Sequence, residues 1–388
     1  MPDVPKPRIV RVVTASYVVP WHLDNTLRRL PDDFEVAVVG QGVSSNKDVY
    51  PGVQWVDINL NRKISIFADL HSLWLLCRFL RTHKPDIVHS IMPKAGLLSA
   101  LAGFICRVPV RVHTFTGQTW AKRPPAARIF LQMVDRVINA LNTVCLTDSP
   151  SQSRFLLDHD VSHHGKALPV LGKGSLSGVE ISRFDCPRQN IRSEQLRAEL
   201  GIAGQDFVFA FIARKSRDKG AIDVIKAFSG VASLHPHARL LFVGPDESHG
   251  ELSALKATAP LLFKNVCDIG PVRNHELFLC LSQALCLPSY REGFGSIVID
   301  AAAAGVPAIG SNIVGLVDSI EDGKTGMLFP AGSVDGLTQA MLSMIENPQR
   351  CKQLGIAARL RVEGYFTADT VYALLKDFYL AQLATAAR

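Results

Sequence analysis

The sequence predicts an α/β fold: two Rossmann-like domains, each built on a parallel sheet covered by helices. Three observations predict it. Apolar, β-rich runs alternate with helical patterns from end to end of the 388 residues. These runs are too numerous for one comfortable doubly wound sheet. The alternation is interrupted at Cys186–Gly204, where Pro187, Gln189, Asn190 and Gly201 surround one short helix. The length, a soft prior for two or three domains, agrees. We therefore expect domains at 1–190 and 191–370, with 371–388 as a closing helix.

In the first half, strands are expected at Ile9–Thr14, Phe34–Val39, Val53–Ile58, Asp86–Ile91, Val110–Phe115 and Val144–Thr147. Helices are expected near Leu23–Leu30, at Ser65–Thr82, Ala95–Cys106 and Ala126–Asn139, and at Ser149–Leu157 behind an Asp148 or Ser149 cap. Pro85 is the break before the fourth strand. In the second half, strands are expected at Phe207–Ile212, Ala238–Val243, Val266–Ile269, Ala284–Leu287, Ala308–Gly310 and Gly326–Leu328. Helices fall between them, among them Ala221–Leu234 and the Ala-rich Ser296–Ala304, and the tail Thr367–Ala386 reads as one or two closing helices.

An apolar content of 47%, with 19 Phe and 20% charged residues, excludes a disordered chain. The 28 Gly and 22 Pro are near average and exclude collagen-like and low-complexity chains. The net charge of +7 is uneven: residues 1–200 carry 25 basic and 17 acidic side chains, residues 201–388 carry 17 and 18. A basic first half suits an anionic partner, either a membrane surface or nucleic acid, or is simply a soluble basic surface. None of the 8 Cys forms a C-x-x-C pair, which argues against a zinc or thioredoxin-like site. Several sit in apolar runs as small buried hydrophobes, and a disulfide framework is not expected in so long a chain, which points to a reducing cytosol. Residues 1–11 lack the apolar stretch of a signal peptide, and no run of about 18 apolar residues is long enough to span a membrane.

Two clusters carry chemistry. Pro288–Asp300 reads as a strand-to-helix loop in which Gly293 and Gly295 follow Glu292, and Ser296 opens a helix containing Asp300. Glycines let backbone N–H groups approach a ligand, and a helix N-terminus attracts phosphate. Asp300 is placed to accept hydrogen bonds from a ribose diol and Glu292 from another hydroxylated group. A plain Gly-rich loop with a solvated helix Asp fits the same residues. The second cluster, Arg214-Lys215-Ser216-Arg217-Asp218-Lys219, follows the expected strand Phe207–Ile212. Four cations at a strand's carboxyl end make a phosphate clamp or a solvated basic turn.

Together the clusters resemble family 4 of the glycosyltransferases, which has the GT-B fold. Arg214 and Lys219, five residues apart, match the pair that holds the donor diphosphate. Glu292…Asp300 matches the E-x7-E motif for donor sugar and ribose, with Asp in place of the second Glu. Gly244-Pro245-Asp246, Ile269-Gly270-Pro271-Val272 and Asp322-Gly323-Lys324-Thr325-Gly326 resemble further family segments, and Met92-Pro93-Lys94-Ala95-Gly96 resembles a segment of bacterial enzymes that build lipid-linked surface polysaccharides. The likeness covers nearly the whole chain.

The resemblance implies two domains facing a central cleft, with the C-terminal helix returning to the first. It implies a retaining, metal-independent enzyme that moves a sugar from a nucleotide-sugar, here a UDP-sugar, to a polyprenyl-diphosphate-linked saccharide. Such transfers serve capsule, O-antigen or exopolysaccharide synthesis. Arg214, Lys219 and Glu292 are the expected catalytic residues. Gly293, Phe294, Gly295, Ser296, Asp300, Val272 and Gly244 are the expected donor contacts. On the acceptor side the candidates are His113, Thr116, Gly117, Trp21 and Lys94, although His113 also fits the core of its strand. No cofactor or metal is implied, and Asp158-His159-Asp160 reads as a surface turn.

The loop Gly117–Pro125, with Trp120, Lys122 and Arg123, and the helix Ser65–Thr82, with Arg62, Lys63, Arg78 and Arg81 near its ends, suit a membrane-facing surface. The expected location is the inner face of the cytoplasmic membrane. A GT-B-like UDP-sugar 2-epimerase is the nearest enzymic alternative, and the two-cluster spacing favours the transferase. The dehydrogenase fingerprint is absent, since Gly40-Gln41-Gly42 has no third Gly on schedule. No zinc, homeodomain or RNA-binding aromatic motif supports a nucleic-acid module, so no nucleic-acid partner is expected.

Overall fold

The computed structural model describes residues 5–60, 65–162, 165–186 and 190–387. Arg62, Lys63, Pro187 and Gln189 lie outside the described residues. The chain forms two compact units, residues 1–178 with 368–388, and residues 179–367.

The first unit holds a six-stranded parallel sheet of β1 (Arg8–Ala15), β2 (Glu35–Gln41), β3 (Val53–Asp57), β4 (Ile87–Ile91), β5 (Val110–Phe115) and β6 (Val144–Thr147). Their order is β3-β2-β1-β4-β5-β6. β1 is the central strand, and Ile9, Val10, Val12 and Val13 are fully buried, two on each face. That is the near-continuous apolar run of a strand covered on both sides. Arg11, the charge inside that run, is also buried, and its Nη1 donates to the Tyr379 hydroxyl at 2.9 Å. Tyr379 belongs to the tail, which forms one helix, Ala368–Ala386, packed on this sheet. Tyr372 and Lys376 of the same helix meet Asp33 at 2.5 and 2.7 Å. The expected return of the C-terminal helix to the first domain is therefore present.

The second unit repeats the plan with β7 (Phe207–Ile212), β8 (Ala238–Val243), β9 (Val266–Ile269), β10 (Ala284–Leu287), β11 (Ala308–Ser311) and β12 (Gly326–Phe329). The order is β12-β11-β10-β7-β8-β9, again all parallel. Phe209 and Phe211 pack with Phe228 of the helix Ala221–Leu234 and with Phe242 of β8. In each sheet the chain winds outward one way from its first strand, then crosses to the other side. The reversals fall between β1 and β4, and between β7 and β10. Ligands of doubly wound sheets bind beyond the carboxyl ends of the strands at such a reversal.

Three expectations differ from the structure. The expected helix Leu23–Leu30 is three short pieces, Val18–His22, Asp24–Leu27 and Leu30–Asp33. Pro31 lacks the N–H that a continuing helix needs and instead occupies the first turn of the last piece. The division between units falls after Gly178 and Thr367 rather than at 190 and 370. Val179 already bonds the Phe366 carbonyl at 2.8 Å, and Phe184 is buried in the second core, so this segment folds with the second unit despite its polar appearance. Finally, Cys186 and Cys280 form a disulfide, where only unpaired cysteines were expected. The segment Ile181–Phe184 packs on the helix His275–Cys280, and the two cysteine Cα atoms lie 5.3 Å apart, within disulfide range.

Candidate functional site

The two chemistry-bearing clusters follow β7 and β10, the strands on either side of the reversal in the second unit. Sequence separates them widely and the sheet brings them together. Tyr290 N–H donates to the Asp218 carbonyl at 2.8 Å, so the two loops share a backbone hydrogen bond. Gly220 has φ +69°, and a Cβ there would lie 2.2 Å from the Pro288 carbonyl oxygen. Only glycine allows that approach of one loop to the other.

At this junction Lys219 Nζ donates to Glu292 Oε1 at 2.6 Å, and the Ser289 hydroxyl donates to the same oxygen at 2.8 Å. Both charged side chains are mostly buried, at 17% and 11% exposure. Arg214 reaches Glu247 at 2.5 Å and Asp218 at 3.1 Å. Burial works against its charge, and the two carboxylates outweigh burial and push its pKa up. For Asp218, burial raises the pKa, while Ser216, Arg214, Lys219 and Arg291 together hold it below the ordinary carboxylate value. Arg214 and Asp218 thus each hold the other in its charged form. Its four cations are not equivalent. Lys215 is buried, where it bonds Asp268 at 2.5 Å and the Ile269 carbonyl at 2.8 Å over the Phe242 ring. It braces the loop. Arg217 is solvated.

The second half of the site is the helix Ser296–Ala303. Gly295 caps it in the left-handed region (φ +79°), with the Leu316 side chain 2.6 Å from where a Cβ would stand. Asp300 lies one turn in, and its Oδ2 is 3.0 Å from His275 Nε2. Burial lowers the His275 pKa, but the bond to Asp300 and the charges of Asp300 and Glu276 raise it further, with Arg183 opposing. The net direction is up. Gly244 closes β8, its N–H bonded to the Ile269 carbonyl at 3.1 Å, and Val272 is half-buried in the loop after β9. Arg214, Lys219, Glu292, Gly293, Gly295, Ser296, Asp300, Gly244 and Val272 therefore all sit at the carboxyl end of one sheet. Phe294 is a correction: its side chain is buried against Phe366 and serves the core, leaving only its backbone on the loop. His275 escaped sequence reasoning, although an Asp one methylene short of the expected Glu was a signal that another side chain fills the gap.

In the first unit, Trp21, Lys94, Thr116 and Gly117 follow β1, β4 and β5, at the carboxyl side of that sheet's reversal. Trp21 is half-exposed and packs on Tyr17 at 4.9 Å. Lys94 opens the helix Pro93–Ile105 and bonds Asp69 at 2.6 Å. Met92, just before it, has φ +75°, a strained conformation for a non-glycine residue. His113 is a second correction. It is buried in β5, 3.0 Å from the Ser90 hydroxyl, and burial pulls its pKa down to about 3, so it is a neutral core residue. Trp120 is a third. It is buried, and its Nε1–H donates to Asp135 at 2.6 Å, so it anchors its loop inward instead of offering a ring to a membrane.

Comparison with known proteins agrees with this geometry. Residues 192–361 match the model of glycosyl transferases group 1, and residues 19–166 match the glycosyl transferase 4-like domain. The capsular polysaccharide biosynthesis glycosyltransferase CapM of Staphylococcus aureus is 27% identical over 326 residues, 83% of each chain. The UDP-Gal:alpha-D-GlcNAc-diphosphoundecaprenol alpha-1,3-galactosyltransferase of Escherichia coli is 25% identical over 74% of this chain and 73% of its own. Among solved structures, Anabaena HepE in complex with UDP and glucose superposes with a TM-score of 0.77 at 18% identity, over 97% of this chain and 100% of its own. That likeness establishes the shared fold.

Proposed function

The chain belongs to the family 4-type glycosyltransferases of GT-B fold, and from that premise we propose that it transfers a sugar from a UDP-sugar to a saccharide carried on a polyprenyl diphosphate. The anomeric configuration is retained and no metal ion is needed. The observation that carries this reading is the meeting of Lys219 with Glu292, flanked by Arg214, at the strand reversal of the second unit. The E. coli relative, whose name gives a UDP-sugar donor and a diphosphoundecaprenol acceptor, supports it, as does the UDP and glucose complex of HepE.

In the reaction the bond between the sugar C1 and the β-phosphate oxygen breaks, and its electron pair leaves with the diphosphate. A bond from C1 to the acceptor hydroxyl oxygen forms on the same face, and the hydroxyl proton passes to the departing phosphate oxygen. Negative charge grows on the diphosphate, and fixed cations stabilise it most in a poorly hydrated site. Lys219 has three N–H donors, of which Glu292 takes one, and the Arg214 guanidinium has five, so both have donors to offer the diphosphate. The N–H groups at the start of Ser296–Ala303 add a favourable partial charge. These cations do the work that a divalent ion would otherwise do. Glu292 takes a sugar hydroxyl and Asp300 the ribose.

Thermal shift with UDP-, GDP- and dTDP-sugars, in EDTA, tests the donor site. We expect a raised melting temperature with UDP-sugars, lost in Lys219→Ala and Glu292→Ala. Stabilisation by another nucleotide alone, or a shift that survives both substitutions, overturns the assignment. Transfer to a polyprenyl-diphosphate saccharide that requires added metal overturns the metal-independent mechanism.

A further inference from the structure

The helices Ile66–His83, Pro93–Ile105 and Pro125–Leu141 lie side by side on one face of the first sheet. The outer two carry matching apolar stripes that point to solvent. On the first these are Ile66, Phe67, Leu70 and Trp74, and on the third Ile129, Phe130, Met133 and Val137. Both sets run i, i+1, i+4, i+8, which keeps them on one helical face. Phe67 is 88% exposed and Ile66 72%, values that solitary surface residues reach but two runs of four such residues do not without a reason. The helix Pro125–Leu141 is apolar on two sides: Leu131, Val134 and Ile138 pack inward beside the buried Asp135 and Asn139, while a second apolar stripe faces water. A helix of a globular surface carries polar residues on that outer side.

We infer that this pair of stripes is a docking surface for an anionic phospholipid bilayer, which deepens the reading of a lipid-carried acceptor given above. Charge selects the occupant. The three helices contain two acidic residues, Asp69 and Asp135. The first is held by Lys94 and the second is buried on Trp120. The exposed charges beside the stripes are cations: Arg78, whose guanidinium lies 5.8 Å over the Trp74 ring, with Arg81, Arg123 and Arg128. Apolar side chains with an arginine rim, and no acid to repel phosphate, are the pattern of a surface that lies on anionic lipid. A second copy of this chain would set the same arginines against one another, which disfavours self-association through this face. Both stripes begin near the N-termini of helices that leave the carboxyl side of the sheet. Trp21, Lys94, Thr116 and Gly117 stand at that same side, where a lipid-borne diphosphate needs to arrive.

Vesicle flotation of the full chain, without donor or acceptor, tests the surface apart from the chemistry. The probes are phosphatidylcholine vesicles and vesicles with about one-third phosphatidylglycerol. Binding to the anionic vesicles is expected, falling about tenfold or more in Phe67→Ser/Trp74→Ser and in Phe130→Ser/Met133→Ser, with Trp74→Phe retaining it. Arg78→Gln/Arg128→Gln should remove the preference for anionic lipid. All these positions are exposed, so melting temperatures should hold. Absence of wild-type binding to either vesicle, or equal binding by the apolar variants, overturns the proposal. So does a wild-type dimer that the same substitutions dissociate. Transfer to a detergent-dispersed acceptor is read separately: it should persist in the stripe variants, and its failure in wild type would count against the acceptor reading and not against the surface.

Discussion

Lys219 and Glu292, 73 residues apart in sequence, meet at 2.6 Å between the carboxyl ends of β7 and β10. Neither residue is specified by its local sequence as a partner of the other. The strand order places them together, because β7 and β10 are neighbours across the reversal of the sheet.

The pair should behave as a unit. On the proposed donor reading, Lys219→Ala removes a diphosphate ligand, and it leaves a mostly buried carboxylate with Ser289 on its Oε1. The transfer rate should fall by about 10²–10³-fold, the usual loss for one electrostatic donor. Glu292→Gln keeps the shape and removes the charge, and should cost a similar factor. The double variant should lose much less than the product of the two losses, because each single change already disables the other group. Steady-state rates for the four proteins decide this, and strictly multiplicative losses would mean that the two residues act separately.

His275 and Asp300 supply a pH signature. The His275 pKa is raised above its ordinary value of 6.5. A raised pKa means that the folded state holds the proton more tightly than the unfolded one. The stabilisation is therefore complete below about pH 6.5 and disappears as pH climbs through the raised value. His275→Gln, which can still donate to Asp300, lacks that titration. The melting temperature of wild type should fall relative to His275→Gln as pH rises above about 6.5. Parallel curves would mean that the pair carries no proton linkage.

The strands were legible because each is an apolar run between turn residues, and several, such as Phe207–Ile212 and Ala238–Val243, have the same ends in sequence and structure. The two loops that meet at Lys219 and Glu292 were legible because their charged residues and glycines lie close together within two short segments. His275 was not, since its contact depends on the start of the helix His275–Cys280 meeting Asp300, 25 residues later on another helix. Trp120 misled because an aromatic ring among cations looks solvent-facing, and the buried Asp135 that turns it inward lies on the next helix. The apolar stripes were hidden for a related reason: periodicity shows that a helix is two-sided and does not say which side meets the sheet.

Gly220 offers a structural test of the site. Gly220→Ala would bring a Cβ to 2.2 Å from the Pro288 carbonyl oxygen, at φ +69°. The left-handed conformation alone costs roughly 1–2 kcal/mol for a residue with a Cβ. The overlap is with backbone and has to be relieved by parting the two loops. Gly201→Ala is the control, with φ +64° and nothing within 4 Å. Both should lower the melting temperature, and only Gly220→Ala should also abolish the shift given by nucleotide-sugar. Equal donor response in both would show that the spacing of the loops is not critical.

Tyr379→Phe tests the return of the C-terminal helix. The buried hydroxyl accepts from Arg11 and lies 2.6 Å from His89 Nδ1, while His89 Nε2 meets the Thr114 hydroxyl at 2.8 Å. Burial holds the His89 pKa well below its ordinary value, so the ring is neutral and the hydroxyl donates to it. Phenylalanine fills the space and strands two buried polar partners. A loss of about 1–3 kcal/mol is expected in denaturant unfolding. No change in the midpoint would mean that water takes over both bonds.

Asp135 should make the first unit less stable in base. Burial pushes its carboxyl up to about 7, and the Trp120 hydrogen bond pulls it back only in part. The folded pKa lies above the unfolded one, so the folded state retains a proton that the unfolded state releases. The corresponding stability is present below the ordinary carboxylate pKa and is lost as pH rises through about 7. Asp135→Asn keeps an oxygen to accept from Trp120 Nε1–H and has no charge to bury. Its melting temperature should match wild type near about pH 4, exceed it increasingly up to about pH 7, and keep that lead at higher pH. Asp135→Ala, which leaves the indole N–H buried without an acceptor, should be destabilised at every pH. If wild type and Asp135→Asn kept a constant difference across the range, the carboxyl would be ionised throughout, and the burial that defines this loop would have to be relieved by solvent.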